Sequence, residues 1–463
     1  MVPATVPQAP LHERYIDLPL ELVEYIISFL AADDEFTHVS LIHYSLTCRK
    51  WRAACIPLLF SCVSVPSCRL TELLALGQLY RSRDFACCIR RLTLDGEEMS
   101  SGVFITVLET FSELKHLELY DTHTEYASPR LPPDHPTFEL DTLIIKCIHG
   151  SCWSLDELVE SLRVFTRIDT LIFWDRSSAH SPHFGPLALV NAAPALSLRV
   201  HKITGDLPAH VWLRLLHYTR TIEDHTLLDA RLRIYHLEAE HVGRLLSTSG
   251  ANMHSLHMHF WNLPDGHRSD NMTDIVPVGD GLKLSSCRSL THATFQFPDV
   301  VRGNYAALWR FVWDLVSSLS QRTVTSVRFI NLHEVIRYDT QTGNEYGLKG
   351  LRAALTLLHA LKEVVIDVWD SPFPMTEDWA FAVNLLLPRT GAASSYRLVF
   401  DQFRPPRGGR LCMHDYNDNW VPQMIRHKPI GLSAISSPGG ESGREVSESF
   451  SVSASCLNKC VVQ

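Results

Sequence analysis

His254, His257 and His259 stand close together in the chain, and imidazole nitrogens are common ligands of zinc and other borderline metals. No carboxylate or thiol at ligand spacing completes a tetrahedral set around them, so neither a metal nor another cofactor is expected. The twelve cysteines are scattered without a CxxC pair, which points to reduced, mostly buried thiols in an intracellular chain. A Walker loop, GxGxxG, GxSxG and HExxH are all absent, so phosphate cradling, nucleophilic and metallohydrolase chemistry have no sequence footing and the chain is read as non-catalytic. Two modification patterns remain. Asn271-Met272-Thr273 is a glycosylation sequon of little meaning inside a cell. Cys460-Val461-Val462-Gln463 has the C-a-a-X form, its glutamine favouring farnesyl, with Cys456 as a second acceptor. No polybasic run accompanies it, and one lipid gives only marginal membrane residence, so a tail that is never modified stays open beside peripheral membrane attachment.

The elements that would position these residues follow from periodicity. Apolar residues recur at the first, fourth and sixth places of a six-residue window. The clear copies are Ile89/Leu92/Leu94, Leu114/Leu117/Leu119, Leu140/Leu143/Ile145, Ile168/Leu171/Phe173, Met253/Leu256/Met258, Val324/Val327/Phe329 and Leu361/Val364/Ile366. Weaker ones are Ala195/Leu198/Val200, Leu232/Ile234, Leu290/Ala293/Phe295 and Leu398/Phe400. Helix-like runs lie between them: Val103 to Phe111, Leu155 to Phe165, Val211 to Tyr218, Tyr305 to Leu319, Leu351 to Leu361 and Trp379 to Leu387. Strand, helix, strand with short links is what parallel crossovers require. A three-domain α/β enzyme with non-equivalent strands is the structural alternative.

Side chains change face at every residue of a strand. The third, fifth and seventh places therefore turn away from the core. Across the middle strands they hold Arg199 and His201, then Arg231, Arg233 and Tyr235, then His257 and His259. Stacked on neighbouring strands, these would form a cationic and aromatic patch able to receive carboxylate or phosphate groups of a protein target. The other reading is a solvated sheet face with no ligand. With 42 basic against 51 acidic residues, the net charge of -9 argues against global attraction to nucleic acid or anionic lipid, and no nucleic-acid partner is expected.

Near the amino terminus, Leu18, Leu22, Ile26 and Leu30 repeat every four residues behind Pro19, as an amphipathic helix does. A second apolar segment runs through Val39, Leu41, Ile42 and Leu46, and a third through Cys48, Trp51, Ala54, Pro57, Leu58 and Phe60. The segments Leu18-Pro19-Leu20-Glu21-Leu22, Ile26-Ile27-Ser28-Phe29-Leu30 and Leu46-Thr47-Cys48-Arg49-Lys50-Trp51 together resemble the F-box. The Thr-Cys-Arg form and Pro57-Leu58-Leu59-Phe60 look most like the F-box proteins of mushroom-type fungi. The acidic Asp33-Asp34-Glu35 departs from the pattern and leaves the local register open. The long remainder resembles leucine-rich repeats, degenerate because the asparagine expected at the ninth place is replaced by Glu97, Thr122, Ile148, Arg176 and Leu332.

The fold class expected is thus α/β, a three-helix F-box followed by an irregular solenoid with a parallel sheet. Its parts are a flexible tail over 1–14, the F-box over 15–62, a helical linker over 63–88, the repeat domain over 89–402 and a largely disordered tail over 403–463. The resemblance implies docking on a Skp-type adaptor of a cullin ubiquitin ligase through Leu18, Pro19, Leu22, Ile26, Leu46, Cys48 and Trp51. The expected places of action are the cytoplasm or nucleus, with a membrane only if Cys460 is prenylated. The alternatives are an interaction or scaffold protein that promotes no degradation, and an enzyme whose site carries no recognised motif.

Overall fold

A computed structural model describes residues 18–31, 38–66, 69–79, 86–96, 98–120, 123–125, 137–147, 155–175, 198–205, 207, 209–219, 221, 224–235, 239–261, 281–297, 305–369, 382, 385–386 and 396–403. The Cys460 motif, the sequon, both terminal tails and most of 379–387 lie outside these residues.

Three helices come first: α1 (Leu20–Ala31), α2 (His38–Ser45) and α3 (Arg49–Leu59). Pro19 sits just before α1, where its lack of an N–H costs nothing and its carbonyl accepts from the Leu22 and Val23 amides. Val23, Ile27, Leu41, Ala54 and Cys55 close a small core of their own, flanked by half-buried Leu18, Tyr44, Trp51, Leu58 and Leu59. Five enclosed side chains are few for a unit of this size to stand alone. The chain leaves α3 through Phe60 and Ser61 directly into a strand.

That strand, β1 (Cys62–Pro66), opens a twelve-strand parallel sheet. The others in it are β2 (Arg91–Asp95), β4 (His116–Tyr120), β6 (Phe138–Cys147), β7 (Phe165–Asp175), β8 (Arg199–Gly205), β9 (Asp229–Tyr235), β10 (Ser255–Trp261), β11 (His292–Gln296), β12 (Ser326–Ile330), β13 (Glu363–Trp369) and β14 (Arg397–Phe403), each beside its predecessor. β3 (Glu98–Ser100) and β5 (His123–Glu125) form a separate pair. The helices between strands are α4 (Leu70–Leu79), α5 (Ser101–Thr110), α6 (Leu155–Leu162), α7 (Ala209–Tyr218), α8 (Ala239–Ser249), α9 (Tyr305–Ser317), α10 (His333–Thr342) and α11 (Tyr346–Thr356). This is the α/β, solenoid-like arrangement expected from periodicity: the leucines of each window stack in one continuous core with the helices. Residues 63–88, expected to be a helical linker, contain most of β1 as well as α4, and β1 pairs with β2 in full register.

Two local departures have clear causes. In β8 the places of the window are held by Val200, Ile203 and Gly205, because Ile203 pairs with Leu171 and Ala230, and Gly205 with Phe173 and Leu232. The reading Ala195/Leu198/Val200 is therefore out of register. The sixth place needs glycine: its φ is +142° and a Cβ there would lie 1.8 Å from the Phe173 carbonyl oxygen. In β9 the window is Leu227/Ala230/Leu232, which shifts Leu232 to the sixth place. One asparagine does link neighbouring turns, one place earlier than counted: Asn331 is buried at φ +64°, and its Nδ2 donates to the Phe297 carbonyl at 3.0 Å. Of the six cysteines described as free thiols, only Cys55 and Cys287 are buried, while Cys48, Cys62 and Cys87 are exposed, so the expectation of mostly buried thiols does not hold there.

Candidate functional site

Helix α1 carries two apolar stripes at helical spacing. Val23 and Ile27 point into the small core, whereas Leu22, Tyr25 and Phe29 face solvent, Tyr25 at 70% and Phe29 at 71% exposure. Val39 and Ile42 of α2 and Leu46 beyond it, at 75%, add to this exposed set. So many large apolar side chains in water, beside a core that is already closed, mark a surface built for a partner. Among the sequence candidates, Pro19, Leu22, Leu46 and Cys48 are exposed, Ile26 is half-buried, and Leu18 and Trp51 pack on the core. Trp51 stacks on Tyr44 at 5.4 Å, and the Leu18 carbonyl accepts from Lys50 Nζ at 3.3 Å, so these two residues shape the face from behind. Cys48 precedes α3 in extended conformation, and its carbonyl accepts from the Arg52 amide at 2.9 Å. Tyr25, Phe29, Val39 and Ile42 were not among the docking residues expected from the sequence. The spacing of residues 22, 25 and 29 carried the signal, but one stripe of the helix had already accounted for its amphipathicity.

On the array, the sheet face turned from the helices carries rows set by strand register. One row runs Thr204, Arg231, His257, Thr294, Arg328 from β8 to β12. The next runs Arg233, His259, Gln296, Ile330 from β9 to β12. Arg231, Arg233, His257 and His259 thus stand on neighbouring rows. Tyr235 pairs with Trp261 along the backbone, but its side chain lies outside the described part. Arg199 and His201 do not join them. The β8 register places Arg199 level with Arg167, and His201 Nδ1 lies 3.0 Å from Asp169 Oδ1. Asp169 also accepts from Arg167 Nε and Nη2 at 2.8 and 2.9 Å, and that guanidinium leads in holding its carboxyl below the usual range. These residues form a separate charged cluster nearer the start of the array.

The central rows are not an open solvated surface. The four arginine and histidine residues are half-buried, and Thr204 and Gln296 are buried. Burial, then Arg231 and His259, keep His257 well below the ordinary histidine range. His259 is pushed down to about 3 by burial first and then by Arg233 and Arg231. His257 Nε2 sits 3.1 Å from the acceptor Gln296 Oε1, which selects the Nε2–H tautomer of a neutral ring. Arg328 grips buried Asp367 through Nε at 2.9 Å and Nη2 at 2.7 Å. The result is a cationic strip whose imidazoles offer hydrogen bonds rather than protons at neutral pH. Thr294, Gln296, Arg328 and Asp367 were missed by the sequence reading, although the same alternation applied to β11, β12 and β13 names them. Among the described residues no group of three or more potential ligands could hold a metal ion, and no helix is long and apolar enough to cross a membrane.

Comparison with known families identifies an F-box domain over residues 16–64. Comparison with curated proteins found no match.

Proposed function

We propose that this chain is the substrate-receptor subunit of a Skp–cullin–F-box ubiquitin ligase. The observation that carries the reading is the solvent-facing set Leu22, Tyr25, Phe29, Val39, Ile42 and Leu46 on a helical unit whose own core is closed, within the segment that matches the F-box. Such a face completes its burial in an adaptor groove, in the helix-in-groove manner. We read the sheet array as degenerate leucine-rich repeats that hold a protein target, with Arg231, Arg233, His257 and His259 as the capturing residues. The chain itself catalyses nothing. It holds the target at high effective concentration before the enzyme recruited by the cullin. The Thr47-Cys48-Arg49 element supports a place among the F-box proteins of mushroom-type fungi, acting in cytoplasm or nucleus.

Affinity purification tests this. A Skp-type adaptor and a cullin should accompany the wild type and be lost from a Leu22→Ala, Phe29→Ala double variant. Both side chains are exposed, so the variant keeps its core, unlike changes at Leu18. Absence of adaptor and cullin from the wild type would overturn the reading.

A further inference from the structure

Among the described residues, a cluster of exposed, unpaired cations lies away from both surfaces above. Arg90, Arg91 and Lys115 are all exposed, and none of the three makes an ion pair or a side-chain hydrogen bond. They sit where β2 and β4 begin: the Arg90 carbonyl accepts the Lys115 and His116 amides at 2.8 and 2.9 Å, and Arg91 pairs with His116. Arg90 and Lys115 therefore occupy equivalent places on adjacent strands, about 4.8 Å apart along the backbone. Like charges placed side by side in a sheet destabilise it. The acidic residue at the same place on the following strand is Asp141, whose amide donates to the Lys115 carbonyl at 2.9 Å. Against three cations stand two neighbouring carboxylates, Asp141 and the exposed Glu113 two places before Lys115, which leaves the corner net positive. The field is felt locally, since Arg91 adds to burial in lowering the His116 pKa, with Asp141 opposing.

We infer that the corner formed by Arg90, Arg91 and Lys115 is a docking site for a short acidic segment of a polypeptide partner. Its charge is complementary to carboxylate side chains, and it spans only two strands. A broad anionic surface, such as a bilayer or a nucleic-acid duplex, would press against the rest of a chain that carries a net charge of -9. A short acidic segment reaches the corner without that cost, because charges beyond about 8 Å are screened at physiological salt. The corner also adjoins the exit from α3, as the Arg90 and Arg91 amides both donate to the Ser61 carbonyl. It thus lies beside the helical end of the array, and the inference stands independently of the adaptor reading.

The test is a titration of fluorescein-labelled octaglutamate into the full chain, followed by anisotropy. Binding should weaken as salt is raised, and Arg90→Glu, Arg91→Glu, Lys115→Glu together should reduce affinity by about tenfold or more. Circular dichroism melting checks that this variant folds, and Arg90→Gln, Lys115→Gln serves as a milder second variant with a smaller loss in the same direction. Unchanged affinity in the folded variants would overturn the inference. So would binding of a DNA duplex or of phosphatidylserine vesicles by the wild type at least as tightly as octaglutamate.

Discussion

His259 offers a quantitative test of how the central strands are built. Its imidazole is pushed down to about 3 in the folded chain, by burial and then by Arg233 and Arg231, against about 6.5 when unfolded. A base whose folded pKa is depressed binds more protons in the unfolded state, so acid favours unfolding and stability rises with pH. The loss begins as pH falls through about 6.5 and continues until the folded ring itself titrates near 3. Between pH 8 and pH 5 this one group should remove about 2 kcal/mol. That value is set almost wholly by the unfolded histidine, since the folded ring stays neutral throughout the interval. His257, depressed by the same causes in the same direction, steepens the slope further. The perturbation is His259→Asn, which keeps a neutral polar group and cannot titrate. Urea unfolding at pH 8, 7, 6 and 5 gives the stability of each protein, and the difference between wild type and variant removes the shared contribution of all other histidines. The wild type should lose about 2 kcal/mol more than the variant on going from pH 8 to pH 5. Parallel curves would refute the claim that this imidazole is held neutral between the arginines.

Three further outcomes follow from the packing. Gly205→Ala forces a Cβ against the Phe173 backbone oxygen at a positive φ, and should cost at least about 2 kcal/mol, read as a lowered midpoint in thermal unfolding. Asp367→Ala strands the Arg328 guanidinium. Because the Arg328 side chain is 36% exposed, the loss should be about 2 kcal/mol rather than the 3–5 kcal/mol of a fully buried pair, and raised salt should lessen it. Ile27→Ala empties a fully buried site and should destabilise the helical unit by about 2–5 kcal/mol, whereas Phe29→Ala should leave stability within about 0.5 kcal/mol and weaken adaptor binding at least tenfold. A Phe29 variant that unfolds would show that its ring is part of the core.

Amphipathic windows and their spacing were enough to locate eleven of the twelve long-sheet strands, because a strand that buries one face and repeats along a shared core must write that demand into alternate positions. β1 escaped although Phe60, Val63 and Val65 fill the first, fourth and sixth places, because Phe60 was counted with the third helical segment. Helix α8 escaped although Val242, Leu245, Leu246 and Ser249 are buried at helical spacing, since its mixed small and polar composition hides so narrow a stripe. The motif residues of the helical unit were equally legible, but which of its apolar side chains point inward was not.

Composition and periodicity by themselves determined the class of the protein: parallel strands with returning helices, a small helical module ahead of them, and no motif for catalysis. Tertiary structure alone decided which residues meet. Arg199 and His201 matched the same alternation as Arg231 and His257, yet the β8 register, which sets Ile203 beside Leu171 and Gly205 against the Phe173 carbonyl, sends them to Asp169 and Arg167 instead. Alternation specifies a face, while hydrogen-bonded register specifies the neighbour on that face, and only the second depends on close approaches between backbones distant in sequence. Histidines that stay neutral far into acid are likewise a tertiary result, since burial and two guanidiniums must converge to hold an imidazole below its ordinary range.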